Sequence, residues 1–96
     1  MSDQLSLLDV PETLSPRLVW MLEKDVKTVL LLADGVECEL TGRDGPLWAC
    51  WYGEAPETHA QESAAVMKSR LCYATTEEDA ITRLAQRNGW KLWNEV

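Results

Sequence analysis

Three thiols, one imidazole and sixteen carboxylates are the groups in this chain that can do chemistry, and their spacing decides what kind. Cys38, Cys50 and Cys72 are an odd number with no CxxC pair, which argues against a disulfide framework and against a structural zinc site. They read as reduced thiols buried in the core. His59 stands in a polar stretch beside Thr58 with no metal-ligand spacing on both sides, so a surface histidine is expected. The chain holds no GxSxG, no phosphate-binding glycine loop and no HExxH, the patterns that set a nucleophile, a phosphate or a metal-bound water in place. Neither an enzymatic activity nor a cofactor nor a metal is expected.

The carboxylates are unevenly spread. From Asp34 to Asp79 ten acidic residues face three basic ones, whereas Arg83, Arg87 and Lys91 give the segment after it a small positive excess. A net charge of -7 argues against direct nucleic-acid binding, which needs a basic face, and makes a basic protein surface the expected electrostatic partner. Asp34, Glu37, Glu39 and Asp44 are the densest group, and two accounts fit them. They form the solvated face of a strand, or they imitate the phosphates of a nucleic acid and occupy a basic groove on a nuclease or polymerase. In size and charge the chain resembles small phage-borne inhibitors of the anti-restriction and anti-CRISPR kind, which implies a host defence nuclease as target. Trp48/Trp51 and Trp90/Trp93 form two Trp-x-x-Trp pairs, a spacing that in a strand puts the rings on opposite faces. These rings read either as core and rim or as an aromatic binding surface, tryptophan being enriched at interface hot spots.

Near the start, Gln4-Leu5-Ser6-Leu7-Leu8 resembles the bacterial sliding-clamp-binding linear motif, a glutamine followed at short spacing by a hydrophobic pair. The resemblance covers five residues. It implies Gln4 as the polar anchor, Leu5 as a supporting contact, Ser6 as a tolerant linker, and Leu7 with Leu8 as the plug of an apolar groove on the clamp. Leu8 stands where phenylalanine is commoner, with less area to bury. The competing account makes Leu5 and Leu7 an edge strand, or packs Leu7, Leu8 and Val10 on the domain.

The elements that must position these groups read as one α+β domain over 15–96 behind a flexible tail, 1–14. Ser15-Pro16 starts a helix over 16–24, serine capping a free N–H and proline occupying a position that needs no donor. The run 27–33 and the alternating 36–41, joined at Asp34-Gly35, read as a hairpin, and 47–52 (LWACWY) as the third strand of an antiparallel meander over about 27–52. Both faces of 47–52 are apolar, as in a strand covered on both sides. A helix over 57–68 follows, then a short strand over 70–74. Thr75 with Glu78 forms a capping-box pattern that opens the best-marked helix, which Gly89 stops. Trp90 to Trp93 read as a short strand or a packed tail. The expectation is thus a three-stranded meander, one or two more short strands, and two or three helices packed against the sheet. The longest apolar run, 29–33, falls far short of the roughly 20 residues of a membrane span, and the polar, acidic start does not read as a secretory signal, so a cytoplasmic location is expected.

Overall fold

Serine at position 15 accepts a hydrogen bond from the Leu18 N–H at 3.1 Å, and from that cap the chain winds into its first helix. The computed structural model describes residues 15–95, and its elements run α1 (Pro16–Lys24), β1 (Val26–Leu32), β2 (Leu47–Tyr52), α2 (His59–Met67), β3 (Leu71–Ala74) and α3 (Glu77–Asn88). The three strands form one antiparallel sheet in the order β1-β2-β3, an α+β fold.

Alternation along β2 explains how the layers meet. Trp48, Cys50 and Tyr52 point to one face, where Trp20 of α1 and Ala80, Ile81, Leu84 and Ala85 of α3 close the larger core with Val26, Cys72 and Ala74. Ala49 and Trp51 point to the other, where Ala65 of α2 and Leu71 of β3 make a smaller one. The doubly apolar strand is therefore central, paired on both edges and covered on both faces, and the strand expected over 70–74 is one of its two partners.

The returning strand expected over 36–41 is absent, and with it the hairpin. Val36 N–H does donate to Ala33 O at 3.1 Å across the Asp34-Gly35 turn. The chain then folds on itself: Cys38 N–H bonds Arg43 O and Gly42 N–H bonds Cys38 O, both at 2.8 Å, with one isolated bridge between Glu37 and Asp44. The physical reason is competition for the place beside β1. Val36, Cys38 and Leu40 offer a single apolar face, while LWACWY buries two faces there, so the second occupies the sheet and the first is left in solvent. Val36 is 48% exposed, Leu40 96%, and Cys38 is half-buried instead of buried as expected.

Smaller departures concern the caps, and the tail takes the packed of its two expected forms. Thr76, one residue after the expected cap, accepts from Asp79 N–H at 3.0 Å and opens α3. The capping box belongs to α2, where Thr58 and Gln61 bond each other's backbone N–H groups. Residues 90–93 form no strand; they pack against the core, with Trp20 meeting Trp90 and Trp93 edge to face at 6.1 and 5.6 Å and donating its Nε1–H to Lys91 O at 2.8 Å. Among the described residues no helix is long and apolar enough to cross a membrane.

One polar link ties three elements at the rim of the core. Glu77, at the start of α3, accepts from the Thr28 hydroxyl of β1 at 2.5 Å and pairs with Arg17 of α1. The Thr28 hydrogen bond, helped by Arg17 and opposed by burial, holds the Glu77 carboxyl below its ordinary 4.5. A lowered folded-state pKa gives stability that is present above the unfolded value and lost as pH falls through the folded one. Stability should therefore drop on acidification below about pH 4.5, and Glu77→Gln should flatten that drop in chemical denaturation followed from pH 7 to 3. With about a third of the side chain exposed, the difference between the two proteins at neutral pH should stay near or below about 1 kcal/mol. Identical pH slopes for the two would show that the link carries no charge-dependent stability.

Candidate protein-interaction surface

The acidic residues singled out by spacing lie together, though not on a strand. Asp34, Glu37, Glu39 and Asp44 are all exposed on the loop 33–46, with Glu37 and Asp44 paired across the isolated bridge. The one basic side chain on this loop is Arg43. Leu40, almost wholly in water, sits between Glu39 and Thr41 at its tip. The loop thus presents carboxylates interleaved with apolar groups instead of a periodic stripe.

The loop grows directly out of β1, whose own side chains extend the same character. Val29, Leu30 and Leu31 are 42%, 43% and 52% exposed, an apolar run unusual for a strand of a small sheet. Composition had already marked 27–33 as a strand, and as the first strand of the expected meander it stood at the sheet margin there too; which of its side chains the helices leave exposed was not legible in the sequence. Leu18, Val19 and Leu22 add exposed apolar surface on α1.

The tryptophans are placed mainly by packing. Trp48 and Trp51 do point to opposite faces of β2, each half-buried against its own core cluster, and Trp90 and Trp93 flank Trp20. Trp51 Nε1 is buried and has no hydrogen-bond partner among the described residues. Gln4, Leu5, Leu7 and Leu8 lie outside the described residues.

Thiol chemistry separates by environment. Burial, with Cys72 alongside, pushes the Cys50 thiol up to about 12, and burial raises Cys72 as well, so both are neutral thiols at physiological pH. Cys38 goes the other way: hydrogen bonds from Thr41 and from the backbone at Thr41 and Leu40 favour its thiolate. His59 is 95% exposed in its side chain, 3.9 Å from Glu62. Among the described residues no group of three or more His, Cys, Asp or Glu side chains could hold a metal ion.

Two shallow clefts, of about 360 and 460 Å³, are lined by mixtures of opposite charge: Glu54, Glu57, Lys68 and Arg70 in the first, Asp44, Asp79, Arg43 and Arg83 in the second. Comparison of the chain with protein-family models, curated proteins and solved structures gives no match in any of the three. Its own residues carry the functional reading.

Proposed function

We propose that this is a non-enzymatic protein-interaction protein that docks on the bacterial DNA sliding clamp through Gln4, Leu5, Leu7 and Leu8, while its acidic folded body meets a second protein. The observation that supports the docking is the motif itself, standing ahead of a domain whose first cap is Ser15 and whose core, among the described residues, begins at Trp20. A peptide ligand of this kind must be accessible and able to extend into a groove. In that groove Gln4 supplies directed hydrogen bonds and Leu7 with Leu8 supply apolar burial.

A second reading rests on a separate observation, the four exposed carboxylates of the loop 33–46. On it the protein is an acidic inhibitor that places Asp34, Glu37, Glu39 and Asp44 in the basic groove of a defence nuclease. Their loop setting, with apolar Leu40 among them, fits a mixed protein surface better than a regular phosphate imitation.

The decisive measurement is binding to purified clamp by the whole protein and by its Gln4→Ala, Leu7→Ala double variant. The substitution of two anchor residues should weaken binding by roughly 100-fold or more without altering the circular-dichroism spectrum. Absence of binding by the unaltered protein, or equal binding by both, removes the clamp reading. Salt separates the two readings as well, because apolar docking persists at high ionic strength while groove occupancy by carboxylates fades.

A further inference from the structure

We infer that the outer edge of β1 takes an extended, basic segment of a partner protein as a fourth strand of the sheet. This rests on the reading of the molecule as a protein-interaction protein and supplies the chemistry of its second partner; it does not depend on the clamp.

The register decides which backbone groups are available. Val26 lies opposite Tyr52, and one step earlier Gly53 N–H donates to Asp25 O at 3.2 Å. In an antiparallel ladder the residues that bond a given neighbour alternate, so Lys27 and Val29 turn their N–H and C=O groups to β2. Thr28 and Leu30 turn theirs outward. Among the described residues nothing pairs with that edge. The bulge between Leu30 and Leu32 ends the regular ladder, so the docking edge is short and centred on Thr28 and Leu30.

The other margin of the sheet shows what a guarded edge looks like here. Tyr52 N–H donates to Arg70 O, which by the same alternation turns Tyr73 outward on β3. Arg83 of α3 donates to Tyr73 O at 3.2 Å and closes that position. Among the described residues β1 has no such cover. It carries no proline, and its one charged side chain, Lys27, is turned onto Asp25 Oδ1 and Gly53 O at 2.5 and 2.8 Å, away from guarding the edge. Exposed Val29, Leu30 and Leu31 supply the apolar contacts that strand addition uses for side-chain specificity.

Charge selects the partner. β1 runs straight into the loop that carries Asp34, Glu37, Glu39 and Asp44 against Arg43, and the whole chain bears -7. A segment laid along β1 meets these carboxylates as it passes the end of the strand. Lysine or arginine alternating with apolar residues satisfies both the strand and the loop, whereas an acidic segment, or a second copy of this chain, meets repulsion.

The test is an NMR titration of the whole protein with a ten-residue peptide of alternating valine and lysine, and with its valine–glutamate counterpart. The basic peptide should shift the Thr28 and Leu30 amides and slow their hydrogen exchange by about tenfold or more, with little change at Lys27 and Val29, and the acidic peptide should do neither. Leu30→Pro, which removes an outward N–H, should abolish the effect with the Trp20 side-chain resonance unmoved. Should that variant unfold, the Glu37→Lys, Glu39→Lys double variant serves, and it should lose its preference for the basic peptide. Equal responses to both peptides overturn the proposal. So do shifts confined to the loop 33–46, or Thr28 and Leu30 amides that stay unchanged at millimolar basic peptide. Clamp binding is measured separately with unaltered Thr28 and Leu30, so failure of either reading leaves the other standing.

Discussion

Trp20→Ala should cost about 3–5 kcal/mol of stability, the range for deleting a buried large aromatic side chain, and lower the thermal midpoint by more than about 10 °C. Trp20 is only 5% exposed, and three separate attachments end on it. Its ring fills the gap between α1 and the sheet, its edges meet Trp90 and Trp93, and its Nε1–H holds the Lys91 carbonyl. Alanine removes the packing and leaves that carbonyl without its donor, so the loss goes beyond the transfer of the side chain alone. Leu22→Ala on the same helix is the control, because Leu22 is 66% exposed and its loss should stay within about 0.5 kcal/mol. Chemical denaturation followed by far-ultraviolet circular dichroism measures both. A loss below about 1 kcal/mol for Trp20→Ala would mean that residues 90–93 do not close the core as described.

Gly45→Ala should cost about 2–3 kcal/mol, the upper part of what overpacking does in a tight site. A Cβ at Gly45 would stand 1.9 Å from Ala33 O and 2.8 Å from both Ala33 C and Leu32 O. These are backbone atoms, so no rotamer change relieves the collision. The base of the acidic loop must open, and with it the Gly45 N–H to Val36 O bond of 2.8 Å. Gly35→Ala provides the contrast: nothing lies within 4 Å of the added carbon, and the cost is that of a left-handed φ of 80°, roughly 1 kcal/mol. Near-equal losses for the two variants would refute the close approach at Gly45. Thermal denaturation of both proteins decides it.

Local chemistry made much of this fold legible in advance. Ser15-Pro16 fixed the start of α1 to the residue, the two apolar faces of LWACWY announced a central strand, and Gly89 ended α3 with a φ of 72°. What failed was the choice between rivals for one position. Asp34-Gly35 does form its turn, and 36–41 alternates as a strand should, so nothing local distinguished it from the true partner of β1. The decision lay in burial summed over both faces of β2, a property that appears only once α2 and α3 are in place. Thr76 in place of Thr75 is a slip of a different kind: two adjacent threonines can each cap, and their hydroxyls differ only in which acidic N–H they meet.

β2 pairs with a strand before it and a strand after it, and the smaller of the two cores needs α2 from the second interval. No part of the sheet has a complete set of partners until both have arrived, so the scaffold should behave as one unit, without a stable half. The tip of the loop 33–46 is under the opposite regime. Closing a longer or shorter loop across a fixed base changes the free energy only slowly with length, and residues 37–44 contribute nothing to either core. Selection can therefore rewrite the acidic tip without renegotiating the scaffold: a segment free to vary in length and charge is mounted on a body that tolerates little change.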